Sequence, residues 1–161
     1  MIAFVRIDNR LIHGQIVEGW LPVLKVTRLL VLDDTCAASP LTCSAMGLAV
    51  PSPVRVEVMP LSTADLGGVQ AGPESTLVLL REVRSAVKAK ERGLALPTLN
   101  LGNVHFAPGR RQISPSVFLS LEELAELRAL AAAGTQIEMR ALPGDKPLGI
   151  DEIAARMGKA R

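Results

Sequence analysis

Short hydrophobic runs recur along the chain at the spacing of strands in an α/β protein. Seven runs rich in Leu, Val, Ile or Thr are predicted to be strands: residues 2–7, 28–32, 54–59, 76–80, 98–101, 116–119 and 136–142. Several of them contain few charges, which is typical of strands that are buried on both faces of a parallel sheet.

Helical periodicity occupies the segments between most of these runs. In residues 14–25 the apolar side chains Ile16, Val17, Trp20, Leu21 and Leu24 fall on one face of a helix. In residues 121–133 a leucine recurs at every third position from 121 to 130. Ser120 and Glu123 before that run have the spacing of a capping box, and Gly134 is placed to end the helix. A last short helix is predicted over 151–157, after a turn at 143–147.

Alternating strands and helices predict the fold class. Parallel strands need crossover connections of about a dozen residues, and helices in those connections cover the sheet. We therefore expect an α/β fold: one open, mainly parallel, doubly wound sheet with helices on both faces. The length of 161 residues favours a single domain over residues 1–161. Ligands of such sheets collect at the carboxyl ends of the strands.

Composition excludes several classes of protein. Hydrophobic residues make up 48% of the chain and the net charge is only +2, which indicates a globular protein. Aromatic residues are 2% of the total, too few for stacking on bases, so we expect no nucleic-acid partner. Three prolines interrupt the uncharged residues 35–54, so no membrane span is expected there. Cys36 and Cys43 lack metal-ligand or redox spacing, and with no secretory signal in front this predicts a reduced cytoplasm.

The richest chemistry follows the first predicted strand. His13 lies between the charged residues Arg6, Asp8 and Arg10 and the start of the first helix. A histidine there can act as a nucleophile, and the free backbone N–H groups of a first helical turn favour an anion at the same point. We expect Arg10 to bind the oxygens of a transferring phosphoryl group, because a guanidinium group matches phosphate, and Asp8 to orient Arg10 or the imidazole.

The next residues complete the candidate site. Gly14 allows a phosphate to approach the backbone, and Gln15 offers a neutral polar contact. Arg6 is predicted to add a second positive charge that binds phosphate. Each residue also has a plain structural interpretation: His13 as a capping or packing residue, and Arg6 with Asp8 as an exposed ion pair worth roughly 0–1 kcal/mol.

Other chemistries are disfavoured by spacing. His105 follows a later strand, where a structural polar role is more plausible than catalysis. The two histidines and two cysteines match no zinc ligand set, so we expect no metal. No Gly-x-Gly-x-x-Gly or P-loop motif occurs, and no cofactor is expected.

Several of these segments together resemble a known family. The run from Arg6 to Gln15, with Trp20 downstream, is similar to the active-site signature of the IIB component of the mannose/sorbose class of the bacterial phosphoenolpyruvate-dependent sugar phosphotransferase system (PTS). The similarity continues through residues 31–34, 100–106, 111–114, 121–130 and 143–146, and so covers nearly the whole chain.

The resemblance implies a function for each site residue. It implies a cytoplasmic protein-Nπ-phosphohistidine–sugar phosphotransferase, associated peripherally with a membrane transporter. His13 would accept a phosphoryl group from a phosphorylated IIA protein and pass it to a sugar that enters through the IIC and IID membrane subunits. Arg10 matches the arginine that assists transfer to sugar, and Asp8, Gly14 and Gln15 match the rest of the loop. The family fold is an open α/β sheet.

Two departures from the family pattern leave alternatives open. Asn9 replaces a common second Asp, and a small, neutral segment at 35–50 replaces a charged one. A regulatory module, whose phosphorylation state controls a partner without sugar transport, is therefore a second hypothesis. A phosphomonoesterase of the Arg-His-Gly type is a third, although Ile12 stands where that motif has arginine. A homo-oligomer is also open, since no feature fixes the number of subunits.

Overall fold

Nine strands and seven α-helices form in residues 1–159, which are the part of the chain that the computed structural model describes. The strands are β1 (Ile2–Asp8), β2 (Arg28–Leu32), β3 (Arg55–Met59), β4 (Thr76–Leu80), β5 (Thr98–Asn103), β6 (Arg111–Gln112), β7 (Phe118–Leu119), β8 (Gln136–Met139) and β9 (Leu148–Gly149). The α-helices are α1 (Leu21–Leu24), α2 (Asp34–Ala37), α3 (Pro40–Ala49), α4 (Leu66–Ala71), α5 (Val83–Glu91), α6 (Leu121–Ala132) and α7 (Ile150–Lys159).

Seven of the strands form one open sheet in the order β3-β2-β4-β1-β5-β8-β9. All neighbours in it are parallel except β8 and β9, which are antiparallel. The predicted open, mainly parallel sheet is therefore confirmed. The first strand of the chain is central in space, between β4 and β5, so the loop that follows β1 lies at the middle of the carboxyl edge.

Two hydrophobic cores cover the two faces of this sheet. Along β2, Leu30 and Leu32 belong to one core while Leu29 and Val31 belong to the other, and β4 alternates in the same way. The first core includes buried residues of α4, α5, α6 and α7. The second core includes Trp20, Leu21 and Cys36 from the helices after β1 and β2. Helices therefore lie on both faces, as expected.

Most predicted elements occur close to their predicted positions. Strands β2 and β4 have the predicted bounds, and α6 begins with the predicted capping box, because Ser120 and Glu123 each accept from the other's backbone N–H. The predicted strand at 116–119 is different: only Phe118–Leu119 forms a strand, and it pairs with β6 in a separate two-stranded sheet. Strand β9 was not predicted, because two residues carry no periodicity.

The predicted helix at 14–25 begins as a π-helix, Gln15–Trp20, and continues as α1. The Leu21 N–H donates to the Ile16 carbonyl, five residues earlier. Pro22 has no N–H group to donate to a preceding carbonyl, which interrupts regular α-helical bonding at this point. Such wide turns are frequent at functional sites, and this one follows His13 directly.

The uncharged segment after β2 folds into α2 and α3. Asp33 caps α2 and Ser39 caps α3, each by accepting from a backbone N–H three residues later. Among residues 1–159, no helix is both long enough and apolar enough to cross a bilayer. Helix α3 has ten residues: Pro40 is its first residue, and Pro51 follows shortly after its end.

Candidate functional site

His13 lies on the turn that joins β1 to the π-helix. The turn closes when the Leu11 N–H donates to the Asp8 carbonyl at 2.9 Å, and Leu11 adopts a left-handed backbone with φ of 55°. That conformation costs about 1–2 kcal/mol for a residue with a Cβ. The Leu11 side chain is 1% exposed, and burying it contributes about 1.5–3 kcal/mol. The buried leucine therefore fixes the turn that carries His13.

The imidazole of His13 is bound to a buried carboxylate. Its Nε2 lies 2.8 Å from Oδ2 of Asp8, whose side chain is fully buried, while the His13 side chain is 14% exposed. An ionised carboxylate can only accept, so Nε2 carries a hydrogen, and in the neutral form of the imidazole the lone pair lies on Nδ1. Within residues 1–159, Nδ1 has no protein hydrogen-bond partner. The arrangement leaves one nucleophilic nitrogen on a partly exposed ring.

Four donors surround the Asp8 carboxylate. Besides His13, Oδ2 accepts from the Arg6 guanidinium at 3.0 and 3.2 Å and from Asn103 Nδ2 at 2.8 Å, and Oδ1 accepts from the Arg10 backbone N–H at 3.1 Å. Burial alone would raise the pKa of Asp8, but the His13 bond, the Arg6 charge and the Asn103 bond outweigh it and hold that pKa below its ordinary value. Asp8 is therefore ionised at neutral pH, as the role of orienting the imidazole requires.

Arg6 occupies a different place from the one expected of a phosphate ligand. The residue is 0% exposed, and its guanidinium donates to Asn100 Oδ1 at 2.7 Å and to the Arg140 carbonyl at 3.2 Å as well as to Asp8. The group also lies 5.2 Å from the centre of the Trp20 ring. Burial lowers the pKa of Arg6, and the Asp8 charge offsets part of that effect. We infer that Arg6 binds Asp8 from the buried side of the site and does not face an incoming phosphate.

Arg6 is part of a polar layer that the sequence reasoning missed. Asn100 Nδ2 donates to Glu138 Oε1 at 3.0 Å, and Arg140 donates to the same oxygen at 3.2 Å. Gly102 makes room for the layer, since a Cβ at that position would overlap the Arg6 guanidinium. A signal for these residues was available, because polar residues at alternate positions of buried strands must find partners on the same face.

The groups that face outward are Arg10, Gly14 and nearby backbone N–H groups. The Arg10 side chain is exposed and makes no hydrogen bond or ion pair within residues 1–159. Gly14 has an ordinary right-handed backbone, and a Cβ on it would meet nothing within 4 Å. Across the same described range, the N–H groups of Gly14 and Gln15 donate to no protein acceptor. Open space and free donors thus lie beside His13.

Gln15 faces inward with its carbonyl. Its Oε1 accepts from Asn103 Nδ2 at 3.0 Å and from Arg6 at 3.4 Å. The residue also lines an open cavity of about 420 Å³, between the loop that joins β6 to β7 and the loop that follows β8, whose walls include Ser116 and Lys146. Of the two polar atoms of the Gln15 side chain, only the amide nitrogen therefore remains for the expected contact with phosphate.

Asn9 connects the His13 turn to both neighbouring strands. Its Nδ2 donates to the Arg81 carbonyl at 3.2 Å, and its Oδ1 accepts from the His105 backbone N–H. The Arg81 guanidinium donates back to the Asn9 carbonyl at 3.0 Å. A carboxylate could not donate to Arg81, so the amide is suited to this position. His105 contributes its backbone here, while its ring is exposed and makes no hydrogen bond within the described part of the chain.

The fold and the site define a class of protein: an α/β protein with a carboxylate-bound histidine on the loop after its central strand. The chain belongs to the family described as PTS system sorbose subfamily IIB component, whose model matches residues 2–161. Proteins of this family are IIB components of the phosphoenolpyruvate-dependent sugar phosphotransferase system, so the resemblance seen in the sequence is confirmed.

Individual relatives agree with this assignment. The chain is 30% identical over 148 residues to the N-acetylgalactosamine-specific phosphotransferase enzyme IIB component 1 of Escherichia coli K12, covering 90% of this chain and 93% of that protein. It is 25% identical over 163 residues to the mannose-specific EIIAB component of the same strain, covering 99% of this chain and 50% of that protein. Among solved structures, the IIB domain of the sorbose permease from Klebsiella pneumoniae superposes with a TM-score of 0.87 at 25% identity, over 96% of each chain.

Proposed function

We propose that the chain is a phosphohistidine carrier in sugar uptake, which accepts a phosphoryl group on Nδ1 of His13 and donates it to a sugar. The observation that carries this proposal is the 2.8 Å bond between His13 Nε2 and the buried Asp8 carboxylate. That bond assigns the hydrogen to Nε2 and leaves the lone pair on Nδ1. The name protein-Nπ-phosphohistidine–sugar phosphotransferase refers to this nitrogen, because Nπ is another name for Nδ1.

The proposed transfer depends mainly on how the phosphoryl donor and acceptor are positioned. The Nδ1 lone pair of His13 forms a bond to phosphorus as the bond from phosphorus to the donor imidazole breaks, and the donor recovers its lone pair. The His13 ring becomes positively charged in this step, and the Asp8 carboxylate across Nε2–H stabilises that charge. In the second step a sugar hydroxyl attacks phosphorus as the bond from phosphorus to Nδ1 breaks. His13 recovers its Nδ1 lone pair, and the hydroxyl proton is released to a base outside this site.

Charge on the transferring phosphoryl oxygens is met by groups that face outward. Arg10 is exposed and has no protein partner within residues 1–159, so its guanidinium is available to the phosphoryl group. The free N–H groups of Gly14 and Gln15 are available in the same region. Removing one well-placed donor of this kind costs about 10²–10³-fold in rate.

The partners follow from the family and its relatives. The mannose-specific relative carries A and B components in one protein, and this chain matches half of its length. We propose that a phosphorylated IIA protein is the donor and that IIC and IID membrane subunits present the sugar to the IIB chain in the cytoplasm. The relatives are named for different sugars, N-acetylgalactosamine, fructose, sorbose and mannose, so the sugar is a property of the partners in this proposal.

The nitrogen that carries the phosphate tests this proposal. The chain, labelled with ¹⁵N on histidine, is incubated with phosphoenolpyruvate, the general phosphotransfer proteins and a IIA protein encoded beside it. Long-range ¹H–¹⁵N and ³¹P spectra then identify the modified nitrogen. We expect phosphate on Nδ1 of His13, and phosphate on Nε2 would contradict the assigned orientation of the ring.

A regulatory role is the second candidate, and α3 favours it. This helix has no charged residue, and its Leu41 and Leu48 are 81% and 88% exposed. In this alternative His13 is phosphorylated in the same way, but the phosphate controls binding of a partner protein. Sugar-dependent loss of phosphate from His13 in membranes that contain the IIC and IID subunits would eliminate it.

A further inference from the structure

The side-chain amide of Gln15 is held in one orientation by its neighbours. Its Oε1 accepts from Asn103 Nδ2 at 3.0 Å and from the Arg6 guanidinium at 3.4 Å. Rotating the amide by 180° would place Nε2 against these two donors, which is unfavourable. The Nε2 group therefore points away from them, and within residues 1–159 it has no protein acceptor.

Asn103 is the neighbour that connects Gln15 to the hydrogen-bonded pair of Asp8 and His13. It ends β5, is 5% exposed, and uses one amide nitrogen for two bonds: 2.8 Å to Asp8 Oδ2 and 3.0 Å to Gln15 Oε1. Both of its N–H groups thus have acceptors. Asp8 Oδ2 also binds His13 Nε2, so Asn103 fixes Gln15 relative to the same oxygen that fixes the imidazole.

We propose that Asn103 is a positioning residue that turns the Gln15 amide so that Nε2 donates to a phosphoryl oxygen on His13. The proposal rests on the proposed function, because it assigns a role in phosphoryl transfer to that site. Asn103 itself does not touch the phosphoryl group. Gln15 is two residues from His13, at the start of the π-helix, and the N–H groups of its side-chain amide have no protein acceptor within residues 1–159.

A neutral amide donor suits a carrier that must both accept a phosphoryl group and release it. It adds a hydrogen bond to the charge that develops on the phosphoryl oxygens without adding a further positive charge that would hold the phosphate. Replacing Gln15 by glutamate keeps the inward oxygen but removes the outward donor. The two are nearly the same shape, so this variant keeps the packing of Gln15 while it removes the donor and adds a negative charge.

The test is a double-mutant cycle with a small phosphoryl donor. Wild type, Asn103→Ala, Gln15→Leu and the double variant are incubated with phosphoramidate, which needs no partner protein, and phosphorylation of His13 is followed by ³¹P NMR. We expect each single variant to react about 10²–10³-fold more slowly than wild type, as for loss of one donor. The double variant should be no slower than Gln15→Leu, because Asn103 acts through Gln15. Gln15→Glu should be at least as slow as Gln15→Leu.

Two spectroscopic readouts separate positioning from a general loss of structure. The Gln15 side-chain amide should show a rigid ¹H–¹⁵N NOE in wild type and a mobile one in Asn103→Ala. The ¹⁵N shifts of His13 should keep the Nε2–H pattern in both proteins. If Asn103→Ala changed the His13 pattern and left the Gln15 amide rigid, Asn103 would act through Asp8 and the proposal would be wrong. Asn103→Leu, an uncharged variant of similar size without a donor, repeats the comparison if the alanine variant does not fold.

Failure of this inference differs from failure of the proposed function. If wild-type His13 is phosphorylated and the two single effects add in the double variant, the inference is overturned while the carrier function stands. If wild type is phosphorylated neither by phosphoramidate nor by the IIA protein, both are overturned.

Discussion

The smallest change that should disable the site is the addition of one methyl group at Gly102. This residue is buried in β5, and a Cβ there would overlap the Arg6 guanidinium. Because the neighbouring backbone is a central strand of the sheet, the Arg6 side chain must move. Displacement would separate Arg6 from Asp8 and Asn100, to which it now bonds at 3.0 and 2.7 Å.

The expected loss of stability follows from the burial of the ion pair between Arg6 and Asp8. Both side chains are 0% exposed, and breaking a buried ion pair costs about 3–5 kcal/mol, since each charge is left without its partner. For a chain of this size that corresponds to a Tm lower by about 6–20 °C. Without the overlap, Gly→Ala would change the free energy of unfolding by only about 0.4–1 kcal/mol, with a stabilising sign. A lower free energy of unfolding for Gly102→Ala would therefore support the overlap with Arg6, and a higher one would contradict it.

The assay is urea unfolding of Gly102→Ala, Arg6→Ala and the double variant. Trp20, the only tryptophan, contacts Arg6, so its fluorescence reports on the site, and circular dichroism reports on the fold. Once Arg6 is shortened the overlap is gone, so the double variant should be no less stable than Arg6→Ala. Gly14→Ala is the matched control, because its Cβ would meet open space. A Gly102→Ala protein within 0.5 kcal/mol of wild type, or costs that add in the double variant, would refute this reasoning.

Three further predictions concern the residues around His13. Because the folded-state pKa of Asp8 is lowered, its stabilising contribution is complete above the ordinary carboxyl pKa of about 3.9 and is lost as the pH falls through the folded pKa. Asp8→Asn should lack this acid-dependent loss in stability measured against pH, and an identical profile would contradict it. Arg10→Ala should keep part of its phosphate acceptance and slow transfer to sugar by about 10²–10³-fold, measured in membranes; an equal loss in both steps would disprove this division. Gly14→Ala should keep or gain stability by up to about 1 kcal/mol and yet accept phosphate from IIA more slowly, and unchanged acceptance would remove any role for Gly14.

Most strands of the main sheet could be predicted, because each is a hydrophobic run that can be recognised from the local sequence. All five residues of β2 and of β4 are buried, so the length of each hydrophobic run equals the length of the strand. Helix α6 was predicted for a similar reason, since its leucines and its capping box are local signals. By contrast, α3 has no buried residue and no charge, so its sequence contains no amphipathic pattern that would predict a helix.

The candidate site was predictable only in part. His13 and Asp8 are five residues apart in the chain, so one segment brings them together. Asn103 and Glu138 join the same layer from β5 and β8, which requires the strand order and the register as well as the sequence. Arg6 was expected to face phosphate because its charge was visible, whereas its burial depends on the space left by Gly102.

The central claim is that His13 carries the phosphoryl group, and intact-mass spectrometry at neutral pH tests it most directly. Wild type, His13→Ala and His105→Ala are incubated with phosphoenolpyruvate, the general phosphotransfer proteins and the neighbouring IIA protein. We predict a single phosphoryl adduct on wild type and on His105→Ala, and none on His13→Ala. An adduct that persists on folded His13→Ala, or no adduct on wild type beside a phosphorylated IIA protein, would contradict the claim.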